Sequence, residues 1–241
     1  MEISDIRLIE IELHSYCNRK CSFCPNSYID RKSFKTELNE DIFLNLLNEL
    51  SEQGFKNYIS FSRYNEPLSD RPLLEKRIKQ IRNILPDTTL VMNTNGDYDW
   101  LRLDVDELTI MDYDYYQEDF SYTRANGHQI RFMNLGEINN RAGALDIEKK
   151  ERTEPCFEPT YFVGVDYTGD IVPCCNIRHD VEIHKPYVLG NLKEDSLYNI
   201  LNSTKANIFR HNTSDKKFLP NICKYCIKEE GRYTREKGGI N

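Results

Sequence analysis

Three cysteines lie within eight residues near the amino end of the chain, in the segment CNRKCSFC that runs from Cys17 to Cys24. Thiolates are soft ligands that select zinc, copper(I) or iron–sulfur clusters. Structural sites for zinc and for iron–sulfur clusters normally close with four protein ligands. Three thiolates on one loop therefore leave one metal position open, and that position can hold a reacting molecule. A zinc site completed by His14 or by a distant cysteine is the alternative.

A second set of cysteines lies far along the chain from the first and comprises Cys156, Cys174, Cys175, Cys223 and Cys226. The four other than Cys175 can satisfy a metal completely. Cys175 neighbours Cys174 at the end of a predicted strand, so we expect its side chain to point to the opposite face as a buried, small apolar group. A structural zinc ribbon is the alternative for this set, because zinc and iron–sulfur clusters use the same ligands.

Charge and composition limit the partners. The chain has 241 residues, a formal net charge of −7 and no lysine-rich or arginine-rich block, so neither nucleic acid nor an anionic membrane is expected as the main partner. The first segment, MEISDIRLIEIEL, carries acidic residues and only a short apolar run, unlike a signal peptide or a membrane span. We therefore expect a cytoplasmic protein that acts on a small molecule or a peptide. In that reducing compartment its cysteines are poor candidates for disulfides.

Apolar, β-rich runs alternate with helical patterns from residue 8 to about residue 134, which predicts an α/β fold with a parallel sheet. One helix is expected to begin after Asn39 as its cap and to end before Gly54. A second helix is expected at about 72–85. The predicted strands are 8–13, 58–62, 88–93, 107–111 and 130–134.

Each predicted strand runs into polar residues at its carboxyl end. In α/β barrels the loops that follow the strands converge above that end of the sheet, and the active site forms there. The three-cysteine loop follows the first strand, so it lies on this same rim. The polar residues on the rim are His14, Ser15, Ser62, Arg63, Asn93, Thr94, Asn95, Asp112 and Asn134.

The pattern changes after about residue 150. The segment YFVGVDYTGDIVPCC predicts a β-hairpin that turns at Thr168 and Gly169. The segment DSLYNILNSTKANIF predicts one amphipathic helix, capped by Asp195 or Ser196. We accordingly divide the chain into a first domain, 1–150, and a second, smaller domain, 151–241.

The spacing Cys17-x3-Cys21-x2-Cys24 after a first strand, with the aromatic Phe23 before the third cysteine, resembles the motif of the radical S-adenosylmethionine (SAM) superfamily. The resemblance implies a partial (β/α)6 barrel in 1–150 and a 4Fe-4S cluster on these three cysteines, with SAM chelating the fourth iron. It also implies that an electron from the cluster cleaves SAM to methionine and a 5'-deoxyadenosyl radical, which removes a hydrogen atom from the substrate. The protein then has to orient the cofactor and exclude water.

The segment RYNEP, after the second strand, resembles the GGEP segment of this family, which binds the amino group of SAM. The resemblance puts Asn65, Glu66 and Pro67 on the last three positions of that segment. Tyr64 and Asn65 replace the two glycines, and such residues adopt a positive φ less readily than glycine does. A surface carboxylate is the alternative interpretation of Glu66.

Two further matches concern the rest of SAM. The segment NTNG, which contains Asn93 and Asn95, resembles the segment near the SAM ribose in this family. Arg124 resembles the arginine that pairs with the SAM carboxylate, a task that suits its fork of donors. An ordinary Asn-Gly turn and a solvated surface charge are the alternatives.

Cys156, Cys174, Cys223 and Cys226 resemble the ligands of the twitch module, the shortened form of the SPASM extension of radical SAM enzymes. In that module a hairpin and a helix hold one auxiliary 4Fe-4S cluster, which implies a twitch domain in 151–241. Aminocyclitol dehydrogenases of antibiotic pathways share this layout. The full SPASM extension, with two auxiliary clusters, needs more cysteines than this chain contains.

A closed auxiliary cluster cannot bind the substrate, so its expected role is to accept an electron from the substrate radical, which makes the reaction an oxidation. We predict a dehydrogenase-like oxidoreductase that acts on a small polar molecule such as an aminocyclitol or a sugar alcohol. Epimerisation or crosslinking of a ribosomal peptide is the competing prediction, although the chain begins at the first barrel strand without a peptide-recognition domain. A non-catalytic zinc-binding protein is a remote alternative. Flavodoxin or ferredoxin is the expected electron donor.

The substrate is expected between the rim and the twitch module. The segment NNRAG, 139–143, lies at this junction, and Asn140 and Arg141 supply donors for hydroxyl or carboxylate groups. Arg63, Tyr64 and Asn176 are the other candidates. Each of these polar residues alternatively caps a turn or pairs with an acid.

Overall fold

A computed structural model describes residues 1–113, 122–125, 128–134, 140–146, 151–152, 154–215, 217 and 219–226, with backbone only at Asp112, 122–125 and 128–134. In this part of the chain nine strands form one sheet. They are β1 (Leu8–Ile11), β2 (Tyr58–Ser60), β3 (Thr89–Thr94), β4 (Glu107–Asp112), β5 (Tyr122–Ala125), β6 (His128–Asn134), β7 (Phe162–Val165), β8 (Asp170–Val172) and β9 (Gly190–Asn191). Their order across the sheet is β5-β6-β4-β3-β2-β1-β7-β8-β9.

The central strands β6, β4, β3, β2, β1 and β7 all run parallel, which confirms the predicted α/β class. Ile9 of β1 lies opposite Ile59 of β2 and Val163 of β7, and all three side chains are fully buried. Strands β3 and β7 are buried along most of their length, as expected of strands in a parallel sheet that is covered on both faces, whereas β1 alternates between buried and partly exposed residues. The register brings the carboxyl ends of the strands to one rim.

Two helices cover this sheet at the predicted places. Helix α1 (Glu40–Glu52) begins at Asn39, whose Oδ1 accepts two backbone N–H groups of the first turn, and Gly54 follows its end with a φ of 70°. Helix α2 (Arg71–Ile84) begins at Asp70, whose side chain accepts a backbone N–H three residues on. Among the described residues, no helix is both long and apolar enough to cross a membrane.

The predicted hairpin is formed by β7 and β8. Gly169 supplies the positive φ of the turn, 89°, and Asp166 Oδ1 accepts the backbone N–H groups of Thr168 and Asp170 at 2.9 and 3.2 Å. Strand β7 also pairs in parallel with β1, so the hairpin extends the sheet of the first half of the chain. The boundary at residue 150 stays a prediction.

The prediction of a single helix after the hairpin is wrong. Two helices, α3 (Leu197–Asn202) and α4 (Thr204–Ser214), are separated at Ser203, where ψ is 155°. Ser203 Oγ accepts the backbone N–H of Ala206 at 3.2 Å, so it caps the second helix. Serine side chains compete for backbone groups in this way, and they interrupt helices more readily than an apolar pattern suggests. Ser196 caps α3.

Candidate functional site

The first cysteine cluster consists of Cys17, Cys21 and Cys24 on the loop after β1, and all three are partly exposed. The backbone N–H of Cys24 donates to the carbonyl of Cys21 at 3.0 Å. Burial raises the pKa of Cys17 to about 11, and the charges of nearby groups, Cys24 and Cys21 among them, act in the same direction. The three thiols therefore lie close together, as the spacing predicts.

Arg31 anchors the far side of this loop. Its guanidinium is 3 % exposed and donates to Glu12 Oε1 at 3.1 Å, to the carbonyl of Ser15 at 2.9 Å and to Asp180 Oδ2 at 2.8 Å. The backbone N–H of Cys17 in turn donates to the carbonyl of Arg31 at 3.0 Å. One buried cation thus joins β1, the cysteine loop and a segment that follows the hairpin.

Glu66 of the RYNEP segment is 2 % exposed and lies at the centre of the rim. Its carboxylate accepts from Thr94 Oγ1 at 2.7 Å, from the backbone N–H of Asn95 at 2.8 Å and from that of Leu68 at 3.1 Å. Its own N–H donates to the carbonyl of Tyr16, beside Cys17, at 2.9 Å. Burial raises the pKa of Glu66, against the effect of these donors. Glu66 therefore connects the cysteine loop to the NTNG segment, with Pro67 following it at the start of a short 3-10 helix.

The replacement of the family glycines carries no backbone penalty. Among the described residues, positive φ angles at non-glycine positions occur at Arg102, Arg141 and Ala142, and neither Tyr64 nor Asn65 belongs to this group. Asn65 Oδ1 accepts the backbone N–H of Arg63 at 3.3 Å, so its side chain closes the turn.

Polar residues beside the motifs connect NTNG to the cysteine loop, and no motif in the sequence singles them out. Asn95 Nδ2 donates to Asn18 Oδ1 at 2.8 Å. Arg19 donates two hydrogen bonds to Asp97, at 2.6 and 2.5 Å, and Asn18 Nδ2 donates to the same carboxylate at 2.6 Å. Arg19 and Asp97 are 78 positions apart, and no local pattern in the sequence signals this pairing. Because Asn18 follows Cys17 directly, these bonds fix the start of the loop.

The remaining predicted SAM residues are placed as follows. Phe23 packs against Tyr113 with ring centroids 5.0 Å apart. The backbone of Asn93, on β3, exchanges two hydrogen bonds with Ser62 Oγ. Arg124 lies on β5 opposite Gln129, near the amino end of β6; its side chain is outside the described part, as is the whole of Asn139.

The second cysteine cluster consists of Cys156, Cys174, Cys223 and Cys226. Burial raises the pKa of Cys174 well above its usual value, and the nearby cysteines of the cluster act in the same direction. Burial likewise raises the pKa of Cys223 to about 12. The four side chains line one cavity, which also has an apolar wall formed by Ala142, Pro159 and Phe209. Four thiols around one enclosed space fit a fully ligated iron–sulfur cluster.

The prediction that Cys175 turns away from Cys174 as a buried residue is wrong. Strand β8 ends at Val172, so the alternation of side chains along a strand does not extend to these two cysteines. Cys175 is partly exposed and lines the same cavity as Cys174. Its carbonyl accepts the hydroxyl of Tyr64 at 2.9 Å, which joins the rim to the second cysteine cluster.

Arg141 and Asn176 meet at the edge of this cavity. Arg141 Nη1 donates to Asn176 Oδ1 at 3.3 Å, and Asn176 Nδ2 donates to Cys226 Sγ at 3.3 Å. Asn140, 3 % exposed, precedes Arg141 and accepts the backbone N–H of Gly143 with its carbonyl at 3.0 Å. The structure therefore brings Tyr64, Asn140, Arg141 and Asn176 to the junction where the sequence places them.

Arg63 follows the carboxyl end of β2, as predicted, but its side chain is buried and is not exposed on the rim. Its side chain is 1 % exposed and donates to the carbonyl of Ile177 at 3.0 Å, with Glu10 Oε2 at 3.6 Å from Nη1. It lies directly over Gly164 of β7, where its guanidinium leaves no room for a Cβ atom. Arg63 therefore packs against the face of the sheet beside the hairpin, where the absence of a side chain at Gly164 leaves room for its guanidinium.

A buried arginine that the sequence did not single out completes the junction. Arg178 donates to both carboxylate oxygens of Asp180, at 2.7 and 2.6 Å, and to Asn26 Oδ1 at 2.8 Å. Its guanidinium lies 4.2 Å from the ring centroid of Tyr64. Burial by itself raises the pKa of Asp180, but hydrogen bonds from Arg178 and the charge of Arg31 lower it below the usual value. Paired charges at Arg31, Asp180 and Arg178 thus lead from the cysteine loop to the ring of Tyr64. The Tyr64 hydroxyl completes the connection by donating to the carbonyl of Cys175.

Fold and site together define a class of protein with two clusters of thiols suited to metal binding, one of three cysteines on a loop and one of four around a cavity, beside a mostly parallel sheet. Two family models match this chain: "Radical SAM superfamily" at residues 11–117 and "SPASM: Iron-sulfur cluster-binding domain" at residues 156–227. Together they cover well over half of the chain. The chain belongs to the radical SAM superfamily and carries a SPASM-type auxiliary domain. It is therefore a radical SAM enzyme, whose cofactors are 4Fe-4S clusters and SAM.

The similarity to known proteins extends over almost the whole chain. An S-adenosyl-L-methionine-dependent 2-deoxy-scyllo-inosamine dehydrogenase from Niallia circulans is 24% identical over 236 residues, 91% of this chain and 92% of the relative. The crystal structure of BtrN in complex with AdoMet and 2-DOIA has a TM-score of 0.75 at 23% identity and covers 93% of this chain and 94% of that one. Streptococcus suis SuiB bound to S-adenosylmethionine has a TM-score of 0.54 at 11% identity, over 87% of this chain and 68% of its own. These structural matches confirm the fold.

Proposed function

We propose that the protein is a radical SAM dehydrogenase that oxidises a hydroxyl-bearing carbon of a small polar molecule, an aminocyclitol or a sugar alcohol, to a ketone. The observation that carries this proposal is the four-thiol cavity beside the polar pair Arg141 and Asn176. A fully ligated cluster next to a substrate site suits electron acceptance. The relative that acts on 2-deoxy-scyllo-inosamine matches this chain nearly end to end, which supports the same substrate class.

The first cysteine cluster, Cys17, Cys21 and Cys24, would hold the SAM-binding 4Fe-4S cluster. The residues around it have the chemistry that a zwitterionic nucleoside requires. Glu66 accepts three hydrogen bonds within the protein, and a carboxylate offers about four acceptor positions, so one position at Oε2 remains for an ammonium group. Asn65, Pro67, Phe23, Asn93, Asn95 and Arg124 are the other proposed contacts of SAM.

The second cysteine cluster, Cys156, Cys174, Cys223 and Cys226, would hold the auxiliary 4Fe-4S cluster. With both clusters and SAM bound, the substrate would lose one hydrogen atom to the 5'-deoxyadenosyl radical, one proton to a base and one electron to the auxiliary cluster, and so become a ketone. The chain's own task is to hold the substrate between the two centres. Asn140, Arg141, Tyr64 and Asn176 lie at that position.

Arg141 is the residue we propose for holding the reacting hydroxyl group. A guanidinium donates to an alcohol oxygen and remains protonated at every working pH. Tyr64 supplies an aromatic wall, and its hydroxyl is engaged by the Cys175 carbonyl, so we expect it to position rather than to donate. Arg63, buried over Gly164, would support this wall and not touch the substrate.

We also propose a cytoplasmic location, and flavodoxin or ferredoxin as the electron donor. Support for the location comes from the many thiols, which need a reducing compartment. A low-potential reductant is required because each SAM cleavage consumes one electron.

The test uses reconstituted, oxygen-free protein with SAM, dithionite and 2-deoxy-scyllo-inosamine deuterated at its carbinol positions. With the deuterated substrate, we expect one deuterium in 5'-deoxyadenosine. With unlabelled substrate, we expect a product that is two mass units lighter than the substrate. Substrate deuterated only at the amine-bearing carbon is the matched control and should transfer no deuterium. If SAM is cleaved but no deuterium arrives from any aminocyclitol or sugar alcohol offered, the proposed substrate class is wrong.

A variant of Arg141 tests whether this residue binds the substrate. Arg141→Met should lower the rate of substrate oxidation by at least 100-fold, because the substrate loses a charge-assisted contact and its reacting carbon is no longer held in the correct orientation. SAM cleavage without substrate should stay unchanged. Arg152→Met is the control variant. Arg152 lines the same cavity, but it donates to the carbonyl of Cys226.

A further inference from the structure

We propose that Asn176 sets the reduction potential of the auxiliary cluster through its hydrogen bond to Cys226, and that Arg141 strengthens this bond from the other end of the amide. The inference rests on the proposed function in one respect, the assignment of Cys226 as a cluster ligand. It makes Asn176 a positioning residue that acts through the sulfur of another residue.

The orientation of the Asn176 amide is fixed by its two partners. Arg141 has only donors, so it must face the oxygen of the amide, and the distance from Nη1 to Oδ1 is 3.3 Å. The amide nitrogen must then face Cys226 Sγ, which is also 3.3 Å away. Asn176 is 5 % exposed, and its contact with Cys226 is buried, whereas the contact with Arg141 is only partly buried. The amide therefore stands as a bridge between a fixed cation and a sulfur atom.

A hydrogen bond to a ligand sulfur favours the reduced cluster, because reduction adds negative charge to the cluster and its sulfurs. An N–H donor at Cys226 therefore raises the reduction potential. A cation on the oxygen side of the same amide polarises it and makes the N–H a stronger donor. Arg141 and Asn176 together would make the auxiliary cluster a better electron acceptor at the point where the substrate radical gives up its electron.

Arg141 is held towards Asn176 by an unusual backbone. Arg141 and Ala142 have φ angles of 47° and 52°, in the left-handed region that residues with a side chain rarely adopt. The carbonyl of Ala142 contacts His184 Nε2 at 3.0 Å, which secures the turn. Strain of this kind persists where the surrounding structure requires the conformation, and such positions cluster at functional sites.

The experiment is a potentiometric titration of the reconstituted holoprotein, without substrate, followed by electron paramagnetic resonance. Asn176→Leu should lower the midpoint potential of the auxiliary cluster by about 59 mV, a tenfold change in the reduction equilibrium of a one-electron couple. Asn176→Asp should lower it at least as much, because a carboxylate has the same shape, no N–H donor and an added negative charge. Arg141→Met should shift it in the same direction by less.

Two controls belong to the same titration. The SAM-binding cluster is an internal reference whose potential should not move. Thr213→Val changes a residue that lines the same cavity, but its hydroxyl donates to the carbonyl of Arg210, so this variant should leave both potentials in place.

Two results would overturn the inference. An unchanged auxiliary potential in both Asn176 variants, with about eight irons per chain retained, would show that the hydrogen bond has no electronic effect. Loss of about four irons from the isosteric Asn176→Asp variant would show that the residue serves assembly of the cluster instead. Because no substrate is present, the outcome is independent of whether the proposed substrate class is correct.

Discussion

The two cysteine clusters are built in opposite ways. Cys17, Cys21 and Cys24 belong to one loop of eight residues, and all are partly exposed. The second cluster collects Cys156, Cys174, Cys223 and Cys226 from three separated segments, and Cys223 and Cys226 are buried in an apolar cluster of their own. A loop that supplies three ligands can leave a position open to an exchangeable molecule, whereas segments that converge from three sides close the metal off. The contrast explains how one chain can use the same side chain for binding a cofactor and for storing an electron.

The largest effect is expected when the first cysteine cluster is removed. With Cys17, Cys21 and Cys24 changed to alanine, formation of 5'-deoxyadenosine should fall to background, because no thiolate remains there to hold iron. Iron should fall from about eight to about four per chain, since the auxiliary set has its own four ligands. Iron analysis and chromatography of the SAM products measure both. Iron near zero would mean that the second set cannot hold a cluster independently.

The converse variant removes part of the closed centre. Cys223→Ala combined with Cys226→Ala should leave about four irons and preserve SAM cleavage, while substrate oxidation is lost because the substrate radical has no acceptor. Cys175→Ala is the matched control, with iron content and both activities retained. Full substrate oxidation by the double variant would contradict an accepting role for this centre.

A third variant weakens the connection between the clusters. Arg178→Met leaves the partly buried Asp180 with one cation fewer and the buried Asn26 without its donor, so the free energy of unfolding should fall by about 3 kcal/mol. Arg7→Met, which removes an exposed cation over Tyr161, should cost less than about 1 kcal/mol. Urea denaturation under anaerobic conditions measures both. Equal effects of the two substitutions would contradict the role given to Arg178.

The smallest expected effect is a pH dependence of stability in the same connecting segment. Burial lowers the pKa of His179, but its bond to Asp166, 2.5 Å away, and the charges of Asp180 and Glu12 raise it above the usual value. The protonated pair therefore stabilises the fold fully below the unfolded pKa of about 6.5, and this stabilisation is lost as pH rises through the higher folded pKa.

His179→Gln removes that contribution. The difference in unfolding free energy between wild type and variant should be larger at pH 6 than at pH 9, as measured by urea denaturation at both values. The T-shaped contact of His179 with Tyr167 is lost at every pH, so only the pH-dependent part of the difference reports the ion pair. A difference that grows towards high pH would contradict the assignment.

The sequence predicted the features that depend on neighbours along the chain. The spacing of Cys17, Cys21 and Cys24, the cap at Asn39 and the turn at Gly169 each occupy a short segment, so their chemistry can be read locally. The second cysteine cluster was found because cysteines are rare and four of them stood apart from the first group. Prediction failed where two local signals competed. At Ser203 the helical spacing of apolar residues predicted one continuous helix, but the serine side chain caps a second helix instead.

Long-range partners left no trace in the sequence. Arg178 and Asn26 are 152 positions apart, and Arg31 and Asp180 are 149 apart. Each of these residues by itself looks like an ordinary polar side chain on a loop. Their burial follows only from the parallel pairing of β7 with β1, which brings the segment after the hairpin over the cysteine loop. The burial of the Arg63 side chain could not be predicted for the same reason, because the space over Gly164 is visible only in the folded sheet.

The position of β7 next to β1 has a consequence for attempts to recombine such enzymes. Cutting the chain after the first half would strip a neighbour from β1 and leave its backbone N–H and C=O groups open along one side, a surface that invites pairing with other chains. Chimaeras that exchange the auxiliary part must therefore bring a strand of their own to complete the first one, and those that do not should aggregate before any chemistry can be assayed.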